Sequence, residues 1–186
     1  MKKLIVIIAF IVKCHILLSQ EEKLVVFFTD AITSGVPVYS DDTDTISIAI
    51  VREYAEKENW HDVEILGQSK NRYEVRIIAI NENNIAPIVG WVDKVRCGVW
   101  LRGKNINSGL WSVSLYRSPS KLNPFMEIMD KYIDGFGTYT NDKAVPVLNY
   151  KLYKGKYWIK TEIIKDNNRI IGWTRDYCPN VYGSCN

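Results

Sequence analysis

The chain is expected to be all-β and built from two small units, and three observations carry that expectation. Apolar and polar residues alternate with a period of two in short runs, such as Ile46, Ile48 and Ile50, or Tyr73, Val75, Ile77 and Ala79. That period marks half-buried strands. The runs recur at short intervals between turn-forming residues, the spacing of a small barrel or sandwich. Finally, a block ending in Gly90-Trp91 returns as one ending in Gly172-Trp173, so one order of parts is written twice.

In the first unit, Leu24-Val25-Val26-Phe27-Phe28 is a short apolar run of strand type. Left exposed it would be an aggregation hazard, so it is expected to be covered. Thr33-Ser34-Gly35 is a turn, and Val36-Pro37-Val38-Tyr39 a short strand whose proline suggests an edge or a strand start. Asp41-Asp42-Thr43-Asp44 reads as a solvated loop, and Ile46 to Ile50 as a strand. Arg52 to Asn59 is charged and suits a helical turn or a loop. Val63 to Leu66, a turn at Gln68 to Asn71, the Tyr73–Ala79 strand and Val89-Gly90-Trp91-Val92 complete the unit. Arg102 to Gly109 alone has linker composition.

The second unit opens at Trp111, with Val113 and Leu115 alternating before Tyr116 as Val36 and Val38 do before Tyr39. Residues 123–135 are ambiguous. Asn123, Pro124, an apolar set at Phe125, Ile128, Met129, Tyr132 and Ile133, and Gly135 suit an amphipathic helix. The repeat instead makes Met126 to Met129 a strand equivalent to Ile46–Ile50, and the repeat is preferred. Val145 to Leu148, a Lys154-Gly155 turn and Tyr157 to Ile163 form a hairpin. Asp166-Asn167-Asn168 is a turn before Ile170-Ile171-Gly172-Trp173.

Residues 1–19 read as a signal peptide, with Lys2-Lys3 before an apolar Leu4–Val12 core. Lys13 and His15 interrupt the run, which is short of the about 20 apolar residues a spanning helix needs. No membrane span is therefore expected after cleavage. The product would be exported, periplasmic or extracellular, and a lipid anchor through Cys14 is the less favoured variant. Cleavage removes three of the 24 basic residues, leaving the balance level with the 21 acidic ones. The basic excess that announces a nucleic-acid partner is missing. In an oxidising compartment Cys178 and Cys185 can close a local loop, stabilising the C-terminus by about 2–3 kcal/mol. Pairing of Cys97 across the units stays open.

The shared blocks, Tyr73-Glu74-Val75-Arg76-Ile77 with Gly90-Trp91-Val92 and Tyr157-Trp158-Ile159-Lys160-Thr161 with Gly172-Trp173-Thr174, resemble the bacterial SH3-like (SH3b) domain in tandem. The ending from Cys178 to Cys185 is similar to tails of exported SH3-like proteins of the Bacteroides-type group. The resemblance implies two SH3-like β-barrels, at 24–103 with an insertion near 41–62, and at 110–186 with a disulfide-closed tail. It also implies attachment to peptidoglycan or to an envelope protein, often beside a separate wall hydrolase. Gly90, Trp91, Gly172 and Trp173 are then structural, each indole covering one end of a barrel. A periplasmic inhibitor or immunity partner is the alternative function.

Register nominates the binding face. Tyr157, Ile159, Thr161 and Ile163 make the better apolar set, which turns Trp158 outward. With Tyr150, Tyr153 and Lys156 nearby, Trp158 is the leading ligand candidate, or else it packs on the other unit. Tyr116 and Tyr39, the aromatic strand ends, join it. Catalytic chemistry is not expected. Cys97 and His61 form no recognised nucleophile pair, and His61 reads as a solvent-facing loop residue. The cysteines and His61 lack zinc-ligand spacing, Asp41, Asp42 and Asp44 lack the rest of a calcium loop, and the glycines form no phosphate fingerprint. No enzyme, metal or cofactor is anticipated.

Overall fold

A computed structural model describes residues 23–29, 34–53, 60–80, 85–107, 110–130 and 145–178. Residues 1–22, on which the signal-peptide reading falls, residues 54–59 and Cys185 lie outside them. Within them the protein is all-β. The first half supplies β1 (Val25–Phe28), β2 (Val36–Tyr39), β3 (Ser47–Val51), β4 (His61–Gln68), β5 (Arg72–Ala79) and β6 (Ile88–Asp93), a 3-10 turn at Lys94–Arg96, and β7 (Cys97–Leu101). The second supplies β8 (Lys104–Asn107), β9 (Leu110–Leu115), β10 (Met126–Asp130), β11 (Val145–Tyr153), β12 (Lys156–Lys165), β13 (Asn168–Thr174) and β14 (Tyr177–Cys178). The large sheet runs β13-β12-β11-β7-β1-β4-β5-β6-β2-β3, β14 joins β7, and β10-β9-β8 form a second sheet.

Hydrogen bonding repeats the sequence doubling. β2 pairs with β3 and meets β6 at Tyr39 opposite Trp91. β9 pairs with β10 and meets β13 at Tyr116 opposite Trp173. The meander β4-β5-β6 is matched by β11-β12-β13. Strand β7 belongs to both halves: it pairs with β1 through Cys97 and Gly98, with β11 through Gly98 and Val99, and with β14 through Trp100 and Leu101. The apolar Leu24–Phe28 run is covered as expected, because β1 sits between β7 and β4. One continuous core joins Val26, Val38, Val63, Tyr73 and Val75 to Leu115, Val147, Ile159 and Ile163. The stretch of linker composition contains β8, hydrogen-bonded to β9.

Register corrects one detail of the repeat. Val75 pairs with Gly90 and Thr161 with Gly172. The equivalent of Tyr73 is therefore Ile159, not Tyr157, and the equivalent of Trp158 is Arg72. A shift of two residues preserves which side chains face inward, so alternation alone does not reveal it. The strand reading of 126–130 holds, with 131–135 outside the described residues. Local helix signals at Asn123 and Pro124 lose to pairing: Met126–Asp130 lie against Trp111–Leu115, and the Phe125 N–H donates to Leu115 O at 2.9 Å.

The two glycines occupy strand crossings. A Cβ on Gly90 would lie 2.6 Å from Val38 Cγ1 and 2.7 Å from Tyr39 O; one on Gly172 would lie 2.9 Å from Leu115 Cβ. Trp91 and Trp173 are half-buried and lie outside the core cluster, contrary to the expectation that the indoles fill barrel ends. Because side chains alternate, the glycine of each pair takes the inward position and the tryptophan the outer one.

Candidate functional site

The β11–β12 hairpin turns through Lys154 and Gly155, both at positive φ (52° and 73°), the geometry that matches strand twist in a two-residue loop. That tight turn sets Tyr153, Lys154 and Lys156 along one lip of a groove. The opposite wall comes from Tyr116 and the following loop, with Pro119, Ser120, Lys121 and Leu122. The loop is shaped by the Lys121 N–H donating to Ser118 O at 3.2 Å and by a 2.9 Å contact between the Ser118 and Ser120 hydroxyls. Trp158 and Arg175 form the floor and far side of this hollow of about 280 Å³.

Inside the groove Tyr116 meets Trp158 edge-on, ring centroids 5.1 Å apart, the arrangement that aromatic quadrupoles favour. The Arg175 guanidinium lies 5.7 Å from the Trp158 ring, and Lys154 Nζ lies 5.5 Å from that of Tyr153. Four cationic side chains thus converge, Lys121, Lys154, Lys156 and Arg175, and among the described residues no acid lines the hollow. None of the four has an ion-pair partner among the described residues. A second hollow of about 390 Å³ adjoins the first, lined by Lys23, Val25, Lys156, Tyr157, Arg175, Asp176 and Tyr177. Lys156 and Arg175 line both.

Three of the five aromatics nominated from sequence, Trp158, Tyr153 and Tyr116, come together here. The other two do not. Tyr150 packs between Tyr73 and Tyr157, with centroids 5.8 and 5.9 Å away, and burial pushes its phenol up. It joins the halves, as does Tyr73, whose buried hydroxyl donates to Val147 O at 2.9 Å. Tyr39 lies in the first half under the guanidinium of Arg72, 3.6 Å from its ring centroid.

Trp158 itself corrects an expectation. Ile159, Thr161 and Ile163 do face the core, so the face is right, yet Trp158 is only 6% exposed. Tyr116 and Arg175 cover its outer face, which makes it the groove's floor and leaves Tyr153 and the cations as its accessible rim. His61 is likewise not a solvent-facing loop residue. It starts β4, and its Nδ1 lies 3.4 Å from Oε1 of the buried Glu53, which also accepts from the His61 N–H at 3.1 Å. Cys97 is a free, fully buried thiol, pushed up by desolvation, so it is not paired across the halves. Cys178 is buried at the end of β14. Its expected partner Cys185 lies outside the described residues.

Lys121, Lys154 and Arg175 were not singled out from sequence. They lie far apart in the chain, and no local pattern marks their convergence; only the Lys156 next to Tyr157 carried a signal. Among the described residues no group of His, Cys, Asp and Glu side chains is arranged to hold a metal ion, and no helix is long and apolar enough to cross a membrane. No family model, curated protein or solved structure matches this chain.

Proposed function

We propose that the protein is an exported, non-catalytic binding module of the cell envelope, a tandem of two SH3-like units, and that it attaches to peptidoglycan through the groove of the second half. The repeated strand order around β7 supports the tandem reading. The observation that carries the binding reading is the convergence of four cations and the Tyr153 ring on the rim of one open groove, over a floor of buried Trp158 and Tyr116. Aromatic faces and unneutralised cations suit a ring-bearing, negatively charged polymer. The Cys97 thiol, buried and held protonated, lacks the exposed, electropositive setting of a nucleophile.

Retention of the purified protein on peptidoglycan sacculi tests the reading. Wild type should sediment with the sacculi, and Tyr153→Ala, at the rim, should weaken that retention. No retention of wild type counts against it.

A second reading, a protein-interaction role such as a periplasmic inhibitor or immunity partner, has its own support. Strand β3 ends the large sheet and exposes Ile48 and Ile50, with Ile46 exposed just before it, and an apolar sheet edge is a template for another chain. Ile48→Lys should abolish a complex with a protein encoded beside this one while leaving wall retention intact. Loss of wall retention with that variant would instead tie β3 to the groove.

A further inference from the structure

We infer that the groove reads carboxylate groups on an extended wall polymer, and that Lys156 and Arg175 are the residues that hold them. This rests on the binding reading above and adds the chemistry that is recognised.

The argument starts from which charges are already used. In the second hollow, Lys23 is ion-paired to Glu64 at 2.8 Å, and Glu64 also accepts from Arg76 at 3.0 Å. The Asp176 carboxylate accepts the Ser114 N–H at 3.1 Å. Lys23 is thus neutralised, and the Asp176 carboxylate is held against β9. Lys156 and Arg175 have no such partner among the described residues, and both are exposed. They alone line both hollows, so they stand where a chain running from one hollow into the other must pass. A neutral ligand would leave both cations at the junction uncompensated. A carboxylate there compensates them and offers two acceptor oxygens to the guanidinium. The aromatic rims on either side, Tyr153 in the first hollow and Tyr157 in the second, provide faces for the uncharged parts of the same chain. A short monovalent ligand fills one hollow; a polymer fills both.

The test compares two preparations of peptidoglycan sacculi, one native and one with its free carboxyls converted to neutral amides. Native sacculi should retain wild type, and amidated sacculi should retain it about twenty-five-fold less, since two charge contacts are lost at about fivefold each. Arg175→Gln and Lys156→Gln should each weaken binding to native sacculi about fivefold and so narrow the gap between native and amidated sacculi. Raising salt should erode the wild-type difference. Both positions are exposed, and an unchanged melting temperature confirms that the variants fold. Equal retention on native and amidated sacculi overturns the carboxylate assignment while leaving the binding reading in place. No retention on either overturns both.

Discussion

The two halves use the same strand crossing to opposite ends. In the second half, Tyr116 and Trp158 meet edge-on, Arg175 stands over the indole, and the loop after β9 leaves the groove open. In the first half, register puts Tyr39, Arg72 and Asp93 at the equivalent positions. Here Arg72 lies over Tyr39, its Nε donates to Asp93 at 2.9 Å, and its Nη1 donates to the carbonyls of Asp44 at 2.7 Å and Asp41 at 3.2 Å. The acidic loop after β2 is thereby drawn onto the site. One half spends its cation on its own backbone and closes; the other replaces that cation with an indole and the acid with an arginine, and stays open. The difference shows why a duplicated scaffold need not carry two sites.

The hardest way to break the scaffold is at the crossings, and the halves should differ there too. Gly90→Ala sets a methyl against the Tyr39 carbonyl oxygen, backbone that cannot step aside. Gly172→Ala meets Leu115 Cβ at 2.9 Å, which is fixed to the strand backbone, and the edge of the exposed Phe125 ring at 3.1 Å, which can turn. Overpacking of this kind costs about 1–3 kcal/mol, occasionally more. Gly90→Ala is expected at or above the top of that range and Gly172→Ala lower within it, read from denaturant midpoints. Equal losses would mean that the two crossings are equally rigid, against this expectation.

Next in size is the coupling between halves. Tyr73→Phe removes the hydroxyl that donates to Val147 O across the junction and leaves a buried carbonyl without its partner, a loss of about 1–3 kcal/mol. Because β7 is shared, chemical denaturation should remain one transition in wild type and in this variant. Two separated transitions in wild type would show that the halves fold independently and that the β7 pairings are weak.

The all-β class, the hairpin at Lys154-Gly155 and the Gly-Trp doubling were legible in the sequence because each rests on a local rule: period two, turn chemistry, a small residue at a close approach. The strand nature of Met126–Asp130 was legible only through the repeat, since local capping signals pointed to helix. Part of the site was legible as well, in Trp158 beside Tyr153 and Lys156. What was hidden depends on distant chain meeting distant chain. Trp158 faces the predicted side yet is buried, because Tyr116 and Arg175 cover it. Tyr150 looked like a binding aromatic and became a contact between halves. The two-residue offset of Tyr157 from Tyr73 conserved the alternation and so left no trace in it.

Sharper tests of the open and closed grooves concern the first half's loop. Arg72→Gln should release the loop from β5 with a loss of at most about 1 kcal/mol, since the ion pair is partly solvated, and hydrogen exchange at Thr43 and Asp44 should rise. Unchanged exchange would show that the Arg72 bonds do not hold the loop closed. The smallest effect comes from pH. The Asp41 carboxylate accepts from the Thr43 N–H at 2.7 Å, the Thr43 hydroxyl at 2.8 Å and the Asp44 N–H at 2.9 Å. Led by the Thr43 backbone bond, these hold it below the ordinary carboxylate value. A depressed folded value means that the stabilising contribution is complete above the unfolded value near 3.8 and is lost as pH falls through the folded one. Asp62, whose carboxyl is raised by burial, runs the opposite way, favouring the fold as it takes up its proton. Acid should therefore loosen residues 41–44 locally before the sheet melts. The first hollow of the second half, which no acid lines among the described residues, should keep its shape over the same range. Amide shifts of Thr43 and Asp44 moving together below pH 4, with the Tyr153 and Trp158 signals fixed, would bear this out; movement of the Trp158 indole in step with Thr43 would mean that the two grooves are coupled through β7 after all.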